Sequence, residues 1–90
     1  MESHCTRLIG EMLEMIEEYV QGRLGFTRLV NGLEGLVRAA DFDDESIVKG
    51  WYAHWTPLEI RNAVDGDRVK RADVEQELAA MVLFLRGLLA

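Results

Sequence analysis

Leu8-Ile9-Gly10-Glu11-Met12-Leu13-Glu14-Met15-Ile16-Glu17-Glu18-Tyr19-Val20 is the stretch that decides the fold class. At about 100° per residue, Leu8, Ile9, Met12, Leu13, Met15, Ile16, Tyr19 and Val20 fall within one arc of ~160°. Glu11, Glu14, Glu17 and Glu18 fall on the other side. The segment predicts an amphipathic helix from His4 to Gln21 with an acidic back. Ser3 is a suitable N-cap and Gly22 a suitable C-terminal stop. Glu14 and Glu18, four apart, repel by a few tenths of a kcal/mol, a cost that the fold does not require.

The same period of about 3.6 runs through the rest of the chain, and strand-like alternation is absent. After the turn Gly22-Arg23-Leu24-Gly25, a second helix is expected from Phe26, with Phe26, Leu29, Val30, Leu33, Leu36, Val37 and Ala40 on one face. Gly32 and Gly35 each cost it ~1 kcal/mol relative to Ala, so packing must hold it and a neighbour can approach closely. Asp41-Phe42-Asp43-Asp44-Glu45 makes the next connection, with Asp43 positioned to cap a third helix. Ile47, Trp51 and Trp55 then follow at helical spacing. Thr56-Pro57-Leu58-Glu59 reads as a capping box with proline at the first helical position. Ile60 and Val64 also leave the phase of Ile47, Trp51 and Trp55. A break or sharp kink is therefore expected at Thr56–Pro57, with a short helix to about Val64. Asp65-Gly66-Asp67 reads as a turn, and Asp73-Val74-Glu75-Gln76 as the cap of a last helix. On that helix Val74, Leu78, Met81, Val82, Leu85, Leu88 and Leu89 share a face, and Leu83 points the other way. The expected fold is all-α: one domain over residues 1–90, a compact antiparallel bundle of three to four helices, with the third broken or kinked at Thr56–Pro57.

Composition limits what such a bundle can do. The 90 residues are 49% apolar and 29% charged, which suits a folded domain with a small core and leaves no room for a nucleotide-binding sheet. The net charge is −6, and residues 1–45 hold four basic and ten acidic side chains. That half repels nucleic acid and anionic lipid and attracts a basic protein surface. One cysteine, Cys5, permits no internal disulfide. The polar start from Glu2 to Arg7 does not read as a secretory signal, and the longest apolar run, Leu78 to Leu85, is too short for a membrane span. A cytoplasmic protein with neither nucleic acid nor membrane as partner is expected.

The catalytic toolkit is thin. His4, His54 and Cys5 do not assemble a nucleophile, base and orienting group. Structural zinc takes four Cys or His ligands, and only three such residues exist. No Glu-x-x-His pair and no glycine-rich phosphate loop occurs. No catalytic residue, metal or cofactor is therefore expected, and the chain is not read as an enzyme. Trp51-Tyr52-Ala53-His54-Trp55 is the most unusual local composition. Trp51 and Trp55 read as core, while Tyr52 on the flank suits an interface. The carboxylates hold the functional content: Glu11, Glu14, Glu17 and Glu18 form one set, and Asp41, Asp43, Asp44 and Glu45 another. With the first two helices antiparallel, the 41–45 turn returns towards the start of the first helix, so the two sets are expected to approach one another. Together with Tyr52 they are the candidate partner-binding residues.

Ile16-Glu17-Glu18-Tyr19-Val20-Gln21-Gly22-Arg23-Leu24-Gly25-Phe26 resembles the opening of the small immunity proteins of the colicin D type. The shared pattern is an apolar-acidic helix, a glycine-containing turn, then a phenylalanine opening the second helix. The resemblance implies an acidic helical bundle that binds and blocks a tRNA-cleaving toxin domain. Closely spaced carboxylates can take the place of phosphates before the toxin's cations. The expected function is a non-enzymatic binding protein of this kind. The alternative is a structural or adaptor module, such as a homodimer, with an apolar contact surface that includes Leu83 and Tyr52.

Overall fold

The computed structural model describes residues 3–90. It contains α1 (His4–Val20), α2 (Phe26–Ala40), α3 (Glu45–Asp65) and α4 (Glu75–Leu89). Two 3-10 turns, Gly66–Arg68 and Arg71–Val74, join the last two helices. Among the described residues there is no strand. Each helix runs antiparallel to the one before it. His4 reaches the carbonyl of Ala39, Trp55 reaches that of Val30, and the His54 ring packs on Phe84.

Local rules account for most of the boundaries. The Ser3 hydroxyl accepts from the Thr6 amide at 3.0 Å and starts α1 as expected. At the other end Gly22 takes a left-handed φ of 80°. Its amide donates to Tyr19 O, and the Arg23 amide donates to Glu18 O. This pair of reversed bonds closes the helix, and a residue with a Cβ would be strained in that conformation. Arg71, from a distant turn, then donates to the Val20 carbonyl at 2.6 Å. The expected end at Gln21 is thus met to within one residue.

The core is a single apolar cluster to which all four helices contribute. Met12, Phe26, Leu29, Val30, Leu33, Trp51, Leu58, Met81 and Leu85 are almost completely enclosed. The α1–α2 contact is the most extensive between any two helices. Gly32 explains part of it: a Cβ there would collide with the Met15 side chain, so the close neighbour permitted by this glycine is α1. Gly35, in contrast, faces open space. Trp51 and Trp55 are core residues, stacked with centroids 6.0 Å apart. The Trp55 indole N–H donates to the Val30 carbonyl at 2.9 Å, while the buried Trp51 indole N–H has no partner among the described residues.

Three expected boundaries are corrected. First, the chain does not break at Thr56–Pro57; α3 is continuous from Glu45 to Asp65 with Pro57 inside it. Proline lacks an N–H, so the Ala53 carbonyl loses its intrahelical donor, and a kink is the only one of the two expected forms compatible with this helix. Burial of Trp55 and Leu58 on either side of the site holds the segment helical. Second, Asp44 caps α3 in place of Asp43: its Oδ1 accepts from the Ser46 amide at 2.9 Å and the Ser46 hydroxyl at 2.7 Å. Third, Asp73 does not cap α4. Its Oδ2 accepts from the Lys70 amide and closes the 3-10 turn that buries Val74, so α4 begins at Glu75.

A candidate acidic docking face

Glu11, Glu14, Glu17 and Glu18 line one open groove between α1 and α2, with Met15, Leu24 and Leu36 as its apolar lining and Arg23 at its end. The helical rise spreads these four carboxylates over about 10 Å. Glu11 is half-buried, and the other three are exposed. Glu18 is paired with Arg23, Oε2 to Nε at 2.6 Å, and holds that guanidinium's pKa above its usual value. Glu17 Oε1 accepts from the Gln21 side-chain Nε2 at 2.8 Å. Glu11 and Glu14 make neither an ion pair nor a side-chain hydrogen bond to the described residues. Spacings of three and four along α1 place like charges side by side, each unfavourable by a few tenths of a kcal/mol. The groove therefore holds an excess of negative charge that the fold does not neutralise.

The second acidic set lies at the other end of α1. His4 Nε2 lies 2.9 Å from the Ala39 carbonyl oxygen, and the Cys5 thiol donates to Ala40 O. The 41–45 connection thus returns beside the first turn of α1, as the antiparallel expectation requires. Yet the two sets do not line a common groove. Asp41 lines a separate shallow depression with Arg38, Phe42, Val48 and Tyr52. Asp43, Asp44 and Glu45 are exposed along the connection. Asp44 is committed to capping, and the Ser46 hydroxyl and amide hold its carboxyl below the usual value of 3.8. Tyr52 is half-buried, and its hydroxyl donates to Glu34 Oε2 at 3.4 Å. Glu34 in turn pairs with Arg38 at 3.2 Å. Tyr52 therefore shares a depression with Asp41 and does not line the groove of the α1 glutamates.

Asp41 combines two local features, of which only the second is unfavourable for its residue type. It takes a left-handed conformation, φ 48° and ψ 56°, and it carries negative charge at the C-terminal end of α2. The last carbonyls of a helix repel an anion. Replacing Asp41 by Asn keeps a side chain that tolerates this conformation and removes the charge. Asp41→Asn is expected to stabilise the protein by about 0.3–1 kcal/mol at low salt. Chemical denaturation with and without added salt checks it; a loss of stability would show that the carboxylate has a favourable role in the fold.

Arg23, Met15 and Leu24 complete the groove but were not legible as site residues. Met15 belongs to the apolar arc of α1, yet lies at its edge and is only half-buried. Leu24 gave the one usable signal, an apolar side chain in a glycine-flanked turn that must find cover. His54 packs against Phe84 with centroids 5.1 Å apart and has a structural contact of its own. Among the described residues, no helix is long and apolar enough to cross a membrane. Comparison with known family models, curated proteins and solved structures finds no match to this chain.

Proposed function

We propose that this protein is a non-enzymatic, immunity-like binder that works in the cytoplasm and occludes the cationic surface of a toxin nuclease domain of the colicin D class. The observation that carries the reading is the groove of Glu11, Glu14, Glu17 and Glu18, in which, among the described residues, only Glu18 has an ion-pair partner. Its shape suits Lys and Arg. Their aliphatic stems can lie on Met15, Leu24 and Leu36 while their charged ends meet the carboxylates. Asp41, Asp43 and Glu45 extend the negative field along the same half of the chain and raise the rate of encounter with a basic partner.

The test is co-expression with the product of the neighbouring gene and, separately, titration of a purified toxin nuclease domain of the colicin D type. Binding is expected to weaken steeply with salt. Glu14→Lys and Asp43→Lys are each expected to weaken it roughly three- to fivefold, mainly through slower association. Asp44 is unsuitable for this purpose, since its replacement would also uncap α3. Binding indifferent to salt and to both reversals removes the acidic face from the mechanism.

A further inference from the structure

Continuity of α3 through Pro57 has a second effect on the surface. A helix that broke there could turn Ile60 and Val64 inward; the unbroken helix leaves them 61% and 69% exposed. Ala53, Pro57, Ile60 and Val64 fall within about 60° of arc, roughly opposite the buried Trp51, Trp55 and Leu58. A helix apolar on two opposite faces is characteristic of one covered on both sides. The outer stripe, with Val74, lines an open groove whose charged members are Arg61, Asp65 and Glu77.

We infer that the outer stripe of α3 is a homodimer interface, in which a second copy packs antiparallel across a twofold axis between Ile60 and Val64. The charge pattern identifies the occupant. Arg61 and Asp65 lie on the same flank of the stripe, one residue after Ile60 and Val64 respectively. A twofold axis perpendicular to α3 sets each flank against itself in reverse order. Ile60 is then level with the partner's Val64, and Arg61 stands about 3 Å along the axis from the level of the partner's Asp65, within reach of its long side chain, each contact made twice. Among the described residues neither Arg61 nor Asp65 has an ion-pair partner within its own chain. Residues 46–90 hold six basic and six acidic side chains, whereas residues 1–45 hold the whole excess of negative charge. Pairing through α3 therefore brings the neutral halves together and leaves both acidic faces outward. The other apolar groove, between α1 and α4, is the weaker candidate because one wall is the acidic helix itself, so a second copy there would bring Glu14 and Glu17 of both chains together. Leu83, exposed as expected on α4, is on this groove and outside the inferred interface.

Sedimentation of the full chain from about 1 μM to about 1 mM, a range that brackets weak interfaces, tests the inference. A concentration-dependent rise towards twice 10.2 kDa is expected. Ile60→Glu and Val64→Glu should each leave only monomer, with unchanged helical circular dichroism showing that the fold survives. Arg61→Asp or Asp65→Arg alone should weaken association about tenfold, and the two together should restore it to within about threefold of the original. A monomer throughout the range overturns the inference. So does a dimer that survives both glutamate variants but is lost in Leu83→Glu, or a charge swap in which the double variant is no better than the singles. None of these outcomes depends on toxin binding, so the two readings stand or fall separately.

Discussion

Phe26→Ala is expected to destabilise the protein by about 3–5 kcal/mol, the range for emptying an enclosed aromatic site. Phe26 is 1% exposed and opens α2. Its ring meets Tyr19, from the last turn of α1, at 5.5 Å between centroids in a tilted arrangement. The pair closes the turn between the two helices that share the most contact. Truncation removes the burial of the ring and the aromatic contact together, and the backbone around it is held by helices that cannot readily collapse inward. A chain of 90 residues has a total stability of roughly 5–13 kcal/mol, so the loss is a large fraction of the whole. Urea denaturation checks it, with the midpoint falling sharply and the slope little changed. A loss below about 1.5 kcal/mol would mean that the site relaxes and that the α1–α2 corner is not rigidly packed.

Asp67→Ala should remove about 1–2 kcal/mol, although Asp67 is exposed and lies in a loop between α3 and α4. The reason is a cap supplied from a distance. Gly25 occupies the N-cap position of α2 and has no side chain to offer. The Asp67 carboxylate fills the role, with Oδ1 accepting from the Thr27 amide at 2.9 Å. Next to it the Thr27 hydroxyl donates to Asn62 Oδ1 at 2.7 Å, tying α2 to the end of α3. An anion at this end of a helix is also favoured by the peptide dipoles. The geometry further sets the sign of a second substitution. A Cβ on Gly25 would lie 2.9 Å from Asp67 Oδ1, so Gly25→Ser should not help while Asp67 is present. In the Asp67→Ala background the space is free and a local serine cap can form, since Gly25 has ordinary extended angles, φ −73° and ψ 158°. Gly25→Ser should then recover about 1 kcal/mol of the loss. A double-mutant cycle measures the coupling. Additive effects would show that Asp67 does not act as the cap of α2.

The acidic face was legible because a charge stripe on an amphipathic helix follows from the same periodicity as its buried stripe. Glu11, Glu14, Glu17 and Glu18 had to share the side of α1 away from the core, and they do. Their groove was not legible, since it depends on where Leu24 and Leu36 come to rest. The second set was placed correctly beside the start of α1, yet Asp41 joined Tyr52 and Asp44 became a cap. Capping choices among adjacent aspartates depend on a shift of one residue in the helix start, which composition does not specify.

From its own order of residues the chain determines the four helices, the Ser3 cap, the glycine stop after α1, the inward-facing tryptophans and the one-sided charge. These are short-range consequences of side-chain period and backbone chemistry, so they need no knowledge of distant neighbours. Tertiary structure alone decided two other matters: that α3 continues through Pro57 and that Asp67 caps α2. In each, a local signal was weak or opposed, and a partner far along the chain supplied the missing hydrogen bond or the burial. Packing and long-range capping contribute as much free energy as one proline or one empty cap position removes, and so they set the outcome.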